Sequence, residues 1–362
     1  MNSSFKALSI LFLLLVVLAV GAYRSGFRGP MMYDSEILVN KTQAFARHDV
    51  GAVLKIVPQR PVAMLSFYLS YIIGGMDAAH FRFENVLLLA LASVVLVAFL
   101  AFVFEIPGLG VPGEIIEKKA VAVALGLLFL LHPLQTYVVM YVWQRQALLA
   151  CLFYFCALSA YVATRTGRIT TRIIGYGLTA GFFVLAVLSK ENAITFPAVL
   201  VLMEIGIFQR GVRKIWKPVV TVILLSFLPV LVLSFLERPL GAAPGNWGIL
   251  QTLASYYHES GLSITDVILS QTRIVFSHLA AVLFPVPTHV KFLNAELISW
   301  SIVSPPSTLA AVVGLVLLTG VAVITLRRRP LIGLGILFFL GNLVPESILV
   351  PQYLYFGYRA LL

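Results

Sequence analysis

"MNSSFKALSILFLLLVVLAVGAYR" occupies residues 1–24: one Lys, then an apolar stretch from about Ala7 to Tyr23. A helix needs about 20 such residues to cross the hydrocarbon core of a bilayer, and this run is near that length. No convincing small-residue cleavage site precedes Arg24. The stretch is therefore expected to remain as an uncleaved anchor that enters from the cytoplasm, in preference to a removable signal peptide.

Outward from this anchor the pattern repeats. Apolar runs of spanning or near-spanning length follow at 85–104, 119–134, 147–164, 172–189, 193–208, 218–236, 307–326 and 331–349, which makes about nine crossings. With 60% hydrophobic residues in 362 and a mean hydropathy of +0.97, too little polar surface is left for a soluble globule. The expected fold is all-α: a polytopic membrane protein with helices also lying in the outer interface. Lys and Arg outnumber Asp and Glu by 26 to 15. The short connections "RTGRITTR" (165–172), "QRGVRKIWK" (209–217) and "RRRP" (327–330) hold much of that excess, and the positive-inside rule puts them in the cytoplasm. The net charge of +11 thus needs no nucleic acid.

The loops at 24–84, 135–146, around 190, 237–306 and 350–362 then share the opposite side. Residues 264–286 are long enough to cross, but one more crossing there would throw "RRRP" outside. That segment and "RPVAMLSFYLSYIIGGM" (60–76) are read as helices in or dipping into the outer interface. The chain is expected to be a single membrane domain over 1–362 with two large outer loops, 24–84 and 237–306. It is also expected to be part of a longer protein, because it stops shortly after an apolar run, at "YLYFGYRALL". Cys151 and Cys156 lie five apart in one apolar segment, a spacing that suits free thiols.

Charged groups at hydrocarbon depth cost about 2.5–3.5 kcal/mol each on insertion scales, so those retained are functional candidates. They are Asp34, Glu36, Arg60, Asp77, His80, Arg82, Glu84, His132, Arg145, Lys190, Glu191, Glu204, Arg273, His278, Glu346 and Arg359. Most fall at the outer ends of the expected helices, which favours a site at the outer face over a central pore.

Several of them sit in phrases that together resemble a known family. "MMYDSEILVN" (31–40), "RPVAMLSFYLSYIIGG" with "HFRFENVLLL", "LLFLLHPLQTYVVMYVWQRQALLACLFY", "LSKENAITFPAVLVL" and "QYLYFGYRALL" occur in this order. They resemble the membrane half of the TMTC-type O-mannosyltransferases and their bacterial relatives, among the GT-C glycosyltransferases. The resemblance implies a GT-C-like fold, a lipid-phosphate-linked sugar donor and a periplasmic or lumenal active site. It also implies an acidic residue of the first outer loop acting as base or electrostatic partner. Here the acids are Asp34 and Glu36, separated by Ser35, where the family often has two adjacent acids. Tyr137 stands where an acid is common, and the tetratricopeptide repeats that usually follow are absent from these residues.

The chemistry can be argued without the family. Transfer from a polyprenyl phosphate needs a base for the acceptor hydroxyl and cations for the leaving phosphate. Asp34 or Glu36 would supply the base. In an extended stretch, residues two apart point the same way, so both carboxylates would face one site. Arg145 and Lys190, at outer helix ends, are the first candidates for the donor phosphate, with Arg60, Arg273 and Arg359 behind them. Snorkelling explains any one such cation as well.

Glu191 is expected to pair with Lys190. His132, before Pro133, is read as a hydrogen-bonder at a helix terminus, because no second His or acid stands at metal-ligand spacing. His80 fits the family phrase but could equally cap the second span, and His278 and Tyr353 are candidates to line the carrier or sugar. No cofactor is indicated, and a divalent metal is left open. The partners expected are a lipid-linked sugar donor, a protein or glycolipid acceptor and membrane lipid, with a bacterial inner membrane as the location. Two other classes stay open: a flippase or transporter of a lipid-linked substrate, and a non-catalytic scaffold. A transporter should show repeated halves with broken helices, and no internal repeat is evident. A scaffold would tolerate neutral replacement of Asp34.

Overall fold

A computed structural model describes residues 3–107, 109, 113–169, 171–208, 224, 227–229, 231, 232, 261–290 and 297–349. The described residues are helical apart from turns and loops, with no strand among them. Six of the helices are long and apolar enough to cross a membrane, or seven if one bent pair counts as a single span. These helices fit a polytopic integral membrane protein. The chain divides into two compact units, one of Met1–Phe196 with Leu225–Gly241, the other of Pro197–Leu224 with Ala242–Leu362.

In the first unit the anchor forms helix Ser3–Tyr23. The Tyr23 hydroxyl donates to Leu130 O at 2.8 Å. Helix Ala78–Phe104 begins seven residues before the apolar run at 85, because Asp77 caps it by accepting from His80 N at 2.6 Å. The polar residues that follow Asp77 find partners inside the protein, so they do not delay the helix. Helix Ile115–Leu131 opens with a reciprocal cap between Glu114 and Glu117. It stops at His132, whose ψ of 132° is the extended conformation that a following proline imposes. The chain then turns by 47° into the short segment Pro133–Met140.

Helix Arg145–Arg165 follows and lies between Ala78–Phe104 and Arg172–Ser189. From Tyr141 to Leu152 every residue is buried, so this part of the helix has no open face. Its close approach to Arg172–Ser189 depends on Gly175, where an added methyl group would overlap Thr164 Oγ1. Helix Pro61–Gly74 has 14 residues, about 21 Å of rise, which falls short of the hydrocarbon thickness.

The loops of this unit gather at two ends. At one end, contacts tie together residues 27–35, 60, 82–85, 140–146 and 191. At the other, Arg168 pairs with Glu105 and lies 4.5 Å over the Phe102 ring.

The expected span at 193–208 is replaced by a 3₁₀ segment, Glu191–Thr195, and an 11-residue helix, Phe196–Gly206. At about 16 Å the helix is too short to cross. Most of the 218–236 run, and all of 209–217 and 350–362, lie outside the described residues.

In the second unit, helices Ile264–Leu283, Ser307–Arg328 and Pro330–Leu349 pack on one another. A capping box between Ser263 and Asp266 starts the first. It buries Val267, Ser270, Gln271, Ile274, His278 and Ala281, a stripe at helical spacing. Its 20 residues have the length and hydropathy of a crossing helix, where the charge scheme expects an interfacial one.

Candidate functional site

The polar end of the first unit is built around the segment that follows the Pro133 break. Asp34 and Ser35 are fastened to it from the first loop. Tyr141 Oη donates to Asp34 Oδ2 at 2.7 Å, and the Trp143 amide donates to Ser35 Oγ at 3.1 Å. Tyr33 packs edge-on against Tyr141 with ring centroids 5.9 Å apart. Its φ is 55°, a left-handed conformation that costs a non-glycine residue energy and persists only where its surroundings hold it. Asp34 stays exposed beside this anchored turn.

The extended reading of 34–36 is corrected. Tyr33–Ser35 is a 3₁₀ turn and Glu36–Asn40 a short helix. Residues two apart then point in different directions, so the two carboxylates do not share a face. Glu36 instead lines an open cleft with Met31, Val39, Asn40, Thr42, Met76 and Ala78.

Arg145 lies beneath, 2% exposed. Its Nε donates to Asn85 Oδ1 at 2.7 Å, and Nη2 donates to Phe81 O and Glu84 Oε2, each at 2.9 Å. Nη1 reaches Ser70 Oγ and, at 3.4 Å, Ser66 O. The guanidinium also faces the Phe67 and Phe81 rings at 5.1 and 5.2 Å. All five N–H groups thus have acceptors in the protein, and a phosphate would reach this residue only by displacing one of them. Asn85 passes the link on, donating to Val138 O at 3.0 Å. His80 Nε2 lies 3.1 Å from the second Glu84 oxygen.

Arg82, which the sequence marks only as one more charge in an apolar context, has the same kind of setting. It is 2% exposed and donates to the carbonyls of Met140 at 3.0 Å, Phe27 at 2.7 Å, Pro30 at 2.5 Å and Gly29.

Glu191 pairs with Arg60, and the neighbouring Lys190 adds its charge to the same carboxylate. Arg60 Nε donates to Oε2 at 2.8 Å, Nη2 contacts Oε1, and Nη1 reaches Gln146 Oε1. The fork of Arg60 matches a carboxylate in a way that the adjacent ammonium cannot. Desolvation pushes the Glu191 carboxyl upward, but 56% of the side chain remains accessible and weakens that push. The Arg60 charge and hydrogen bonds, with help from Lys190, bring it down to about 2. Lys190 itself is buried at the end of helix Arg172–Ser189. His132 acts as a terminus, its Nδ1 accepting from the Leu134 amide at 3.3 Å.

In the second unit, Arg273 donates to Leu297 O at 2.7 Å and lies 3.4 Å from Ser299 Oγ, and His278 is buried. Arg359 and Tyr353 lie outside the described residues. Among the described residues no three His, Cys, Asp or Glu side chains come together as metal ligands would.

No family model and no solved structure matches the chain. A stretch of 136 residues is 31% identical to Protein O-mannosyl-transferase Tmtc1 of Drosophila melanogaster, and the match spans 38% of this chain and 14% of that protein's length.

Proposed function

We propose that this chain is a membrane glycosyltransferase that moves a sugar from a polyprenyl-phosphate-linked donor to a hydroxyl of a protein or glycolipid acceptor. The reaction takes place at the Asp34 end of the first unit, facing the periplasm of a bacterial inner membrane. The observation that carries this reading is an exposed carboxylate on a strained turn, aimed by the Tyr141 hydroxyl. Similarity to a protein named as an O-mannosyl-transferase supports it.

Asp34 takes the proton of the acceptor hydroxyl while that oxygen attacks the anomeric carbon. The bond from that carbon to the phosphate oxygen breaks, and polyprenyl phosphate departs with the electron pair. Tyr141 holds the carboxylate, and Glu36 serves the acceptor from its cleft. Lys190 and Arg60 are the cations assigned to the phosphate. Arg145 keeps the frame in place, with His80 and Glu84 around it.

Asp34→Asn preserves shape and removes the base. Transfer from a radiolabelled undecaprenyl-phosphate-linked sugar to membrane acceptors should fall by about 10²–10⁴-fold while the protein stays folded. Transfer at the wild-type rate by this variant would refute the assignment.

A further inference from the structure

We infer that Arg82 is a positioning residue for Asp34, an inference that rests on the catalytic role proposed for that carboxylate. Two stretches distant in sequence meet at the site. Residues 26–35 bring the carboxylate, and residues 137–143 bring the hydroxyl that orients it. Side-chain contacts join them. Tyr141 and Asp34, Trp143 and Ser35, and the Tyr33 and Tyr141 rings make up one cluster. Met140 packs against Gly26 so closely that a methyl group on Gly26 would overlap its Sδ.

The Arg82 guanidinium bridges the same two stretches from below. Nε holds Met140 O, one residue before Tyr141. Nη1 and Nη2 hold Phe27 O, Gly29 O and Pro30 O, the last of these four residues before Asp34. A flat fork with donors on three nitrogens can collect carbonyls from two directions at once, whereas a lysine ammonium is a single point with three donors. The bridge lies within the first two turns of helix Ala78–Phe104, fixed by the Asp77 cap, so the geometry of Asp34 is referred to a rigid helix.

The test uses the purified full chain with radiolabelled undecaprenyl-phosphate mannose and a membrane-fraction acceptor. Arg82→Lys should lower kcat by about 10–100-fold, as small misplacements of reacting groups do, and leave the KM for the donor within about twofold. Placed on Asp34→Asn, the same substitution should cost almost nothing further, because Arg82 acts through the carboxylate already lost. Tyr141→Phe should also be non-additive with Arg82→Lys.

A merely structural arginine would lower activity by the same factor in both backgrounds, and that result overturns the inference. So does a wild-type kcat for Arg82→Lys beside an inactive Asp34→Asn. Activity retained by Asp34→Asn itself would instead bring down the proposed reaction. Where Arg82→Lys does not fold, Arg82→Gln, with a planar amide donor, takes its place; failure of both to fold assigns Arg82 to stability alone and ends the proposal.

Discussion

Three meetings of an arginine with a glutamate give the pair a different meaning each time. Arg145 and Glu84 meet where the cation is buried, so loss of one partner would strand the other, a cost of about 3–5 kcal/mol in such pairs. Arg168 and Glu105 are more exposed and bind weakly. Arg60 and Glu191 leave the carboxylate more open still, at 56% accessible, yet the cation brings that carboxyl down to about 2 from the usual 4.5. A carboxyl lowered by folding stabilises the protein fully above its unfolded value, and the contribution disappears as pH falls through the folded one. The melting temperature in detergent should therefore be higher for wild type than for Glu191→Gln at pH 6, with the gap closing between about pH 4.5 and 2. A gap that stays constant over that range would show that the pair contributes through shape and not through charge. The residues of the site were visible in the sequence as charges out of place. Their partners were not: Arg82 binds carbonyls 52 to 58 residues away, and no local pattern announces a main-chain acceptor.

Apolar runs foretell elements well where the chain continues unbroken, as in Ser3–Tyr23, Arg172–Ser189 and Ser307–Arg328. They fail where polar residues are satisfied internally or where a turn interrupts. The start of Ala78–Phe104 belongs to the first case, because hydropathy discounts His80, Arg82 and Glu84. The 3₁₀ segment Glu191–Thr195, with Thr195 Oγ1 donating to Asn192 O at 3.3 Å, belongs to the second. The turn at 33–36 was likewise hidden, since nothing in the alternation of its residues contradicts an extended strand. Helix contact adds a prediction. Gly175→Ala should destabilise the protein by about 1–3 kcal/mol through overlap with Thr164, read as a lower thermal midpoint in detergent. Thr164→Ala in the same chain should restore most of the loss; if it restores none, the helices do not touch at that point.

For the whole molecule, the legible part was the all-helical membrane class, because it follows from summed hydropathy. The number of crossings was less legible, since 193–208 and 264–283 have compositions that fit more than one disposition. The proposed orientation predicts that, in a chain without native cysteines, Asn40→Cys reacts with an impermeant maleimide from the periplasmic side. Thr166→Cys, at the opposite end of the first unit, should react only after the membrane is opened. Labelling of both from one side would reject that orientation. Helix Arg145–Arg165, closed in along its first turns, also bears on how the protein is made. Glu84, Asn85 and Ser70 all precede Arg145 in the chain, so a ribosome delivers the acceptors first. The guanidinium then emerges to a counter-charge already in place, and Arg172–Ser189, synthesised next, packs along the same helix. In this order of birth a deeply enclosed cation need not wait in the bilayer for its partner.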